Sequence, residues 1–315
     1  MKNIPNIHIA WLCDTDKKAL LDAKKHFSRA RATPNYHDVL MSPDVDAVLI
    51  STPAPSHYSF ARQALLADKH IFIEKPMTCL LADATRLVIL AKQKKKILFV
   101  DHTYVYDDAI RATKDVVGSG QLGNTYAAHS IRTNLGKFQH DCNVLWDLAP
   151  HDIAILSFIL KTNPQSVIAH GWSHFIPGLI DTAWLSIDFG NKINATIFIS
   201  WLFPKKERIL TIVGSKQMIV FDDTITTKKL RVYKSNVTVR HRKTMPQFVH
   251  ESRGILYPSY NNQEPLMRAC QNFVLCIRTH REPLTNSAHG RMVVATIAAA
   301  ESSIQQNGKV VSVRL

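Results

Sequence analysis

Glycine is the residue that this sequence lacks most visibly. The chain has 11 glycines in 315 residues, and the first of them is Gly118. Glycine averages about 7% of residues in proteins, so the opening third is short of the residue that lets a backbone turn sharply or approach a ligand closely. A loop built on closely spaced glycines is therefore excluded from residues 1–117.

Cysteine pairs and metal-binding spacings are also missing. The five cysteines are Cys13, Cys79, Cys142, Cys270 and Cys276. Their number is odd, they are scattered, and no two of them form a CxxC pair. We expect reduced thiols in a cytoplasmic protein, with neither a disulfide framework nor a metal site.

Long apolar runs are absent too. No uninterrupted run approaches the roughly 18 residues that a membrane-spanning helix needs, and the longest candidate is residues 292–300. The opening segment carries one early lysine and no small-residue cleavage site, so we expect neither a secretory signal nor a membrane partner. At about 150 residues per domain, the length predicts about two globular domains.

Positive charge is in excess, with 39 basic and 25 acidic side chains and a net charge of +14. Such an excess favours anionic partners. The densest basic region contains Lys228, Lys229, Arg231, Lys234, Arg240, Arg242 and Lys243. It could attract an anionic sugar nucleotide or a nucleic acid, although a solvated hairpin is the simpler interpretation. Nucleic-acid binding rests on charge alone, because the sequence has no helix-turn-helix, zinc-finger or aromatic RNA-binding pattern, and we expect no nucleic-acid partner.

The first hundred residues alternate between two hydrophobic periods. Strands are predicted at residues 7–13, 46–51, 70–73 and 96–100, and helices at residues 15–27, 58–67 and 81–95. Short strands alternating with helices predict right-handed βαβ units, and hence an α/β parallel sheet covered on both faces.

Strand-like segments follow one another after about residue 125. Strands are predicted at residues 126–133, 166–174, 183–189, 194–201, 208–213, 217–221 and 229–233, with helices at 148–160, 264–278 and 288–306. Strands in succession predict a large, mainly antiparallel sheet in a C-terminal α+β domain. The irregular stretch 236–260 predicts a long loop.

A stiff turn follows the second predicted strand. It reads Ser51-Thr52-Pro53-Ala54-Pro55-Ser56-His57. Ligands of an α/β sheet bind beyond the carboxyl ends of its strands, so this turn could lie against a flat ligand. The alternative is an ordinary strand-to-helix turn in which Ser56 caps the helix.

The third predicted strand runs directly into Glu74-Lys75-Pro76. An acid and an ammonium group at a strand end, followed by proline, supply a positioned proton donor. The alternative is a solvated Glu–Lys pair.

A third motif reads Asp147-Leu148-Ala149-Pro150-His151-Asp152. Proline is tolerated in the first turn of a helix, so Pro150 predicts a helix that begins near Asp147. Asp147 and His151 would then share one helix face. A carboxylate that holds an imidazole is the usual arrangement of a general base; helix capping beside a surface histidine is the alternative.

In this order and spacing, the three motifs resemble the glucose–fructose oxidoreductase, inositol dehydrogenase and rhizopine catabolism (Gfo/Idh/MocA) family of NAD(P)-dependent sugar oxidoreductases. The matching text is VDAV at 45–48, STP at 51–53, HIFIEKP at 70–76, DHTY at 101–104, SGQLG at 119–123 and DLAPH at 147–151. It covers nearly the whole chain. The stretches 132–136 and 144–152 are most similar to the branch that acts on nucleotide-linked sugars.

The resemblance implies a role for each motif. Lys75 would lie beside the nicotinamide and the substrate hydroxyl, His151 would take the hydroxyl proton as hydride leaves the same carbon, and Asp147 would orient His151. The implied NAD or NADP contacts are Asp14, Ser51, Thr52, Pro53, His57, Glu74, Lys75 and His102. The implied substrate is a sugar or nucleotide sugar, and the implied assembly is a homo-oligomer, a dimer or tetramer.

Three departures from the family pattern change these expectations. The acid that binds the cofactor ribose follows a glycine-rich turn by about 20 residues; Asp14 stands in that position, which would place the turn before Met1. We therefore expect an N-terminally truncated Rossmann-type sheet, with an incomplete dinucleotide-binding domain at 1–122, a substrate and oligomerisation domain at 123–315, and weak dinucleotide binding. Asp101 replaces a small residue, and a solvent-facing carboxylate is the simpler expectation there. Cys142 and Asn143 replace a glycine pair.

A non-catalytic relative that binds a sugar ligand or serves assembly is the alternative function. The missing glycine turn favours it, whereas the intact Lys75, Asp147 and His151 argue against it.

Overall fold

The computed structural model describes residues 4–5, 7–136, 138, 142–241 and 245–315. The chain divides into two compact units, Met1–Asp101 with Leu266–Arg291, and His102–Pro265 with Met292–Leu315. This division by contact differs from the domains predicted at 1–122 and 123–315, which stay a prediction.

The first unit opens with short strands alternating with helices. The elements are β1 (Trp11–Cys13), α1 (Lys17–His26), β2 (Arg31–Thr33), α2 (Tyr36–Met41), β3 (Ala47–Ile50), α3 (His57–Leu66), β4 (His70–Glu74), α4 (Leu81–Lys94) and β5 (Leu98–Asp101). A short 3-10 helix, Ala54–Ser56, precedes α3. The alternation confirms the predicted α/β organisation, and β2 and α2 are additions to it.

The parallel strands of this unit form two sheets. One pairs β1 with β2, and the other has the order β3-β4-β5. In a Rossmann fold, the strands of these two sheets belong to one continuous sheet. Among the described strands, β1 and β3 each have one edge that pairs with no other strand.

The later elements are α5 (Asp108–Gly118), β6 (Thr125–Thr133), α6 (Val144–Leu160), β7 (Ser166–Trp172), β8 (Thr182–Asp188), β9 (Asn194–Ser200), β10 (Glu207–Gly214), β11 (Met218–Asp222), β12 (Leu230–His241), β13 (Pro246–Leu256), α7 (Pro265–Thr279), α8 (Ser287–Gln305) and β14 (Val311–Ser312). A 3-10 helix, Thr103–Tyr106, precedes α5.

Helix α7 packs with the first unit although it lies late in the chain. Its Phe273 meets the stacked rings of Phe72 and Phe99 edge-on, at centroid distances of 5.5 and 5.7 Å. The segment after α7 reaches β5, where the Val100 amide donates to the Thr285 carbonyl. The chain therefore returns to close the core of the first unit before it enters α8.

The second unit is built on a nine-stranded sheet of order β13-β12-β11-β10-β6-β9-β8-β7-β14. Only the β6–β9 pair is parallel among its described pairs, which confirms the predicted mainly antiparallel sheet. Alternate residues of its central strands are buried, and these are Ala183, Leu185, Ile187, Ala195, Ile197, Ile199, Leu210 and Ile212. Helix α6 packs against β8 and β9.

The predicted long loop at 236–260 is wrong. Strands β12 and β13 pair antiparallel as far as His241 and Pro246, so most of this region is a long hairpin. Its apolar side chains Val237, Val239 and Phe248 are exposed. Because the hairpin buries neither face here, it carries no alternating apolar pattern by which the strands could be recognised. Two members of the basic cluster, Arg242 and Lys243, lie outside the described residues.

The start of α6 also differs from the prediction. The helix begins at Val144, and the Asn143 side chain caps it by accepting hydrogen bonds from the amides of Leu145 and Trp146. Pro150 therefore lies in the second turn instead of the first, where it removes one helical hydrogen bond. The replaced glycine position, Asn143, supplies the cap.

A buried ion pair joins α6 to β6. The Arg132 Nε and Nη2 atoms donate to the two carboxylate oxygens of Asp152 at 2.8 and 3.0 Å, and Ser130 Oγ donates to Asp152 Oδ1 at 2.8 Å. The two charged side chains are 6% and 3% exposed. Burial alone would lower the pKa of the Arg132 guanidinium, but the facing Asp152 carboxylate outweighs burial and raises it. The Arg132 guanidinium therefore stays charged.

Candidate functional site

The turn after β3 is cross-linked by its own side chains. Thr52 Oγ1 and Ser56 Oγ lie 2.7 Å apart, and Ser56 Oγ donates to the Pro53 carbonyl at 2.7 Å. Ser56 makes no side-chain bond to the start of α3, so the alternative of an ordinary serine cap is wrong. The turn holds Ser51, Thr52 and Pro53 at the carboxyl end of β3.

His57 braces this turn against the Glu-Lys-Pro segment. Its ring is 1% exposed, and its Nδ1 and Nε2 each lie 2.8 Å from a backbone carbonyl oxygen, that of Pro76 and that of Thr52. The bond between Lys75 and Pro76 is cis. The backbone thus occupies both ring nitrogens of His57, and its direct contact with a cofactor stays a prediction.

The Glu-Lys-Pro segment leaves the sheet beside the end of β5. Glu74 is the last residue of β4 and pairs in register with Asp101; both Glu74 and Lys75 are half-buried. Asp101 is 2% exposed, so the expectation of a solvent-facing carboxylate is wrong. The carboxyl ends of β3, β4 and β5 therefore bring together a hydroxyl-rich turn, two acids and an amine.

Asp14 follows β1 at the same kind of strand end. Its carboxylate is exposed and accepts from the Asp16 amide at 2.8 Å, while the Asp16 side chain caps α1. An exposed acid at a parallel strand end is chemically suited to bind the two hydroxyls of a ribose.

In the second unit, α6 carries Asp147 and His151 one helical turn apart, and both are half-buried. The Trp201 indole donates to Asp147 Oδ2 at 3.0 Å. The helix start is also tied to α8, because Asn143 Nδ2 and Trp146 Nε1 both donate to Glu301 Oε1 at 2.8 Å. Asp147, which the sequence predicts to orient the base His151, is therefore itself held in place by Trp201.

His102 also belongs to the second unit, and it is buried. The other seven predicted cofactor residues lie in the first unit. Their roles, like that of His102, stay predictions.

Two aromatic residues were missed by sequence reasoning. Tyr104 packs edge-on against His151, with ring centroids 5.2 Å apart, and Trp201 binds Asp147. The available signal was chemical: a buried indole or phenol needs a hydrogen-bond partner, but the sequence does not say which one.

The described residues include neither a metal-ligand cluster nor a helix that could span a membrane. No group of three or more His, Cys, Asp or Glu side chains there could hold a metal ion. No helix in that part of the chain is long and apolar enough to cross a membrane.

Comparison with known families decides the classification. Residues 1–102 match the model described as "Oxidoreductase family, NAD-binding Rossmann fold", and residues 110–220 match the "GFO/IDH/MocA C-terminal domain". The chain belongs to the Gfo/Idh/MocA family. Its cofactor class is therefore NAD(P).

Individual members of the Gfo/Idh/MocA family share limited sequence identity with the chain. The chain is 28% identical to 1,5-anhydro-D-fructose reductase of Ensifer adhaerens over 84% of its length and 79% of that protein. It is 35% identical to 1-carboxy-3-chloro-3,4-dihydroxycyclohexa-1,5-diene dehydrogenase of Comamonas testosteroni, over 40% of the chain and only 32% of that relative. Oxidoreductase YrbE of Bacillus subtilis is matched over 61% of its length.

Among solved structures, the chain shares its fold with UDP-N-acetylglucosamine 3-dehydrogenase GnnA from Acidithiobacillus ferrooxidans. The TM-score is 0.75 at 23% identity, with 94% of this chain and 91% of that chain covered.

Replacing His57 with alanine should destabilise the first unit. At least one of the two facing carbonyls, Thr52 and Pro76, would lose its hydrogen-bond donor, and a buried group left unsatisfied costs about 1–3 kcal/mol. We expect urea denaturation to show a loss of about 1–3 kcal/mol in unfolding free energy. His37→Ala, an exposed histidine on α2, should change it little. Equal stability of the His57 variant and the wild type would contradict the bracing role.

Proposed function

We propose that the chain is an NAD(P)-dependent oxidoreductase that transfers a hydride between nicotinamide and the hydroxyl carbon of a sugar or nucleotide sugar. The observation that carries the proposal is the anchored pair on α6: Asp147 is held by the Trp201 indole, and His151 lies one turn further on. An acid–base pair needs such fixed geometry before it can take a proton efficiently.

The residues present fit the ribose groups of the cofactor better than its pyrophosphate. Asp14, the turn at 51–53 and Glu74 offer carboxylates and hydroxyls at strand ends, which suit ribose hydroxyls. The pyrophosphate is ordinarily cradled by the amides of a glycine-rich turn, and the chain has no glycine before Gly118. The N-terminus of α1 is already capped by Asp16.

Bound NAD(P) accepts or supplies the hydride. His151 holds the hydroxyl proton on a ring nitrogen, and Asp147 keeps the imidazole in the orientation that receives it. For Lys75 we infer the role of a hydrogen-bond donor, whose ammonium group would stabilise negative charge on a substrate oxygen as the proton leaves.

A nucleotide sugar is the proposed substrate class. GnnA is named as a dehydrogenase of UDP-N-acetylglucosamine, and a Streptomyces violaceoruber relative, 36% identical over 30% of this chain, is named as a 3-reductase of a dTDP-linked sugar. The net charge of +14 also favours a diphosphate-bearing substrate.

The chain is proposed to form a homo-oligomer through the sheet face opposite α6. Trp172 is 48% exposed on this face, and Trp184 and Phe198 are half-buried on the neighbouring strands. Exposed apolar side chains on a sheet face are typical of a protein interface.

Sedimentation equilibrium should accordingly give two or four times the mass of one chain. Trp172→Glu puts a charge into the apolar face and should shift the population toward monomer. Leu21→Glu, on the exposed side of α1, serves as the control and should not. A wild-type chain that sediments as a monomer at tens of micromolar would refute the proposed assembly.

The catalytic assignment is tested by turnover of UDP-N-acetylglucosamine with millimolar NAD⁺ or NADP⁺. His151→Gln and Lys75→Met should each lower kcat by about 10²–10⁴-fold, the usual contribution of a positioned acid or base. His129→Gln, an exposed histidine on β6, should retain activity. If the wild type turns over and either variant keeps full activity, the assigned roles are wrong.

Non-catalytic sugar binding is the competing function, favoured by the glycine-free opening. It predicts that the wild type binds a nucleotide sugar in calorimetry but reduces no NAD(P)⁺ at any cofactor concentration tested.

We expect weak cofactor affinity, because residues 1–117 contain no glycine that could form a phosphate cradle. Charge-assisted hydrogen bonds contribute about 1.5–3 kcal/mol each, so a missing glycine cradle predicts a dissociation constant for NADH and NADPH near or above about 1 mM. Fluorescence titration measures it directly. A micromolar constant would contradict the predicted weakness.

A further inference from the structure

Tyr104 stands between the buried ion pair and the candidate base. It lies in the 3-10 helix Thr103–Tyr106 of the second unit. The Arg132 guanidinium carbon is 4.7 Å from its ring centroid. The His151 ring meets it edge-on, at 5.2 Å between centroids and 74° between planes.

The hydroxyl group of Tyr104 is held by two hydrogen bonds. It donates to Asp223 Oδ2 at 3.0 Å and accepts from Arg208 Nη1 at 2.8 Å. Lys229 Nζ also binds the Asp223 carboxylate, at 2.8 Å. Burial raises the pKa of the Tyr104 phenol, so the hydroxyl keeps the proton that it donates. The Tyr104 ring is held by Arg132 against its face and by two hydrogen bonds at its hydroxyl, so it has little freedom to turn.

Both ring neighbours of Tyr104 are tied to α6. Arg132 is clamped by Asp152, and Asp152 is the residue after His151 on that helix. The Tyr104 ring, held by Arg132 on β6, Arg208 on β10 and Asp223 directly after β11, therefore limits which side-chain rotamers His151 can adopt.

We propose that Tyr104 is a positioning residue, whose clamped ring holds the His151 imidazole in the orientation that accepts the substrate proton. The kinetic part of this inference rests on the proposed function. The orientation of the ring does not, and it can be measured without cofactor or substrate.

The kinetic test compares Tyr104→Leu with Tyr104→Phe. Leucine removes the ring plane, and we expect kcat with the nucleotide sugar to fall by about 10–100-fold, because misplacement by about 1 Å costs up to about 10² in rate. KM should change by less than about threefold, as for an interaction made only in the transition state. Phenylalanine restores the plane and should recover most of kcat.

The second test follows the order of the His151 ring in the cofactor-free protein, by ¹³C relaxation at its Cε1 position. The signal is assigned by its loss in His151→Gln. Tyr104→Leu should lower the order parameter of this ring, and Tyr104→Phe should return it toward the wild-type value.

A purely structural role is separated by Phe189→Leu. Phe189 is a fully buried aromatic residue of the second unit, whereas Tyr104 is half-buried; the Phe189 carbonyl accepts from Thr162, beyond the C-terminal end of α6. Because its site is the more buried of the two, this variant should lower the melting temperature at least as much as Tyr104→Leu while leaving kcat and the His151 order parameter unchanged.

The outcomes are distinct. Unchanged His151 order in a folded Tyr104→Leu protein overturns the inference, as does the same loss of order in Phe189→Leu. If the wild type turns over no sugar, the proposed function fails, and the relaxation result still decides the role of Tyr104. Should Tyr104→Leu not fold, Tyr104→Met fills more of the volume without a plane and is expected to show the same loss of order.

Discussion

Two opposite charges, Arg132 on β6 and Asp152 on α6, meet in the interior of the second unit and fix the helix that carries the candidate catalytic pair. Taking both charges out of water is costly, and only close, multiply hydrogen-bonded geometry offsets that cost. The bidentate contact and the added Ser130 bond meet this condition. Because removal of one partner would strand a buried charge, α6 has one favourable position along β6. Asp147 and His151 take their places from that position.

The same principle recurs at smaller scale around each candidate residue: a polar side chain is held by a second group that has little freedom of its own. Trp201 holds Asp147, Tyr104 faces His151, and His57 holds the turn beside Lys75. In the first unit the holding partners are backbone carbonyls, and in the second they are the aromatic side chains of Trp201 and Tyr104. Sites supported in this way lose little orientation freedom when a ligand binds.

Sequence reasoning located many of the elements that have a clear apolar period, including β4, α4 and the central strands of the large sheet, but not the 11-residue helix α5. It found the three motifs by their chemistry. It missed β2 and α2, which have three and six residues, too few for a period to be recognised. It missed the β12–β13 hairpin because that region has no buried face. It also placed the start of α6 too late, because Pro150 was interpreted as a first-turn residue and Asn143 was not recognised as the N-cap. Contacts such as Arg132 with Asp152, 20 residues apart, depend on strand register and helix placement, which local patterns do not contain.

Native-state hydrogen exchange across α6 tests most directly whether the Arg132–Asp152 pair presets the candidate base before any ligand is present. The pair predicts that the amides of residues 147–149, 151 and 152 in the ligand-free wild type exchange only through global unfolding, with its full denaturant dependence. In Asp152→Asn the same amides should exchange through local opening at a much lower free energy. Exchange of these amides by local opening in the wild type, or equal protection in both proteins, would contradict the account.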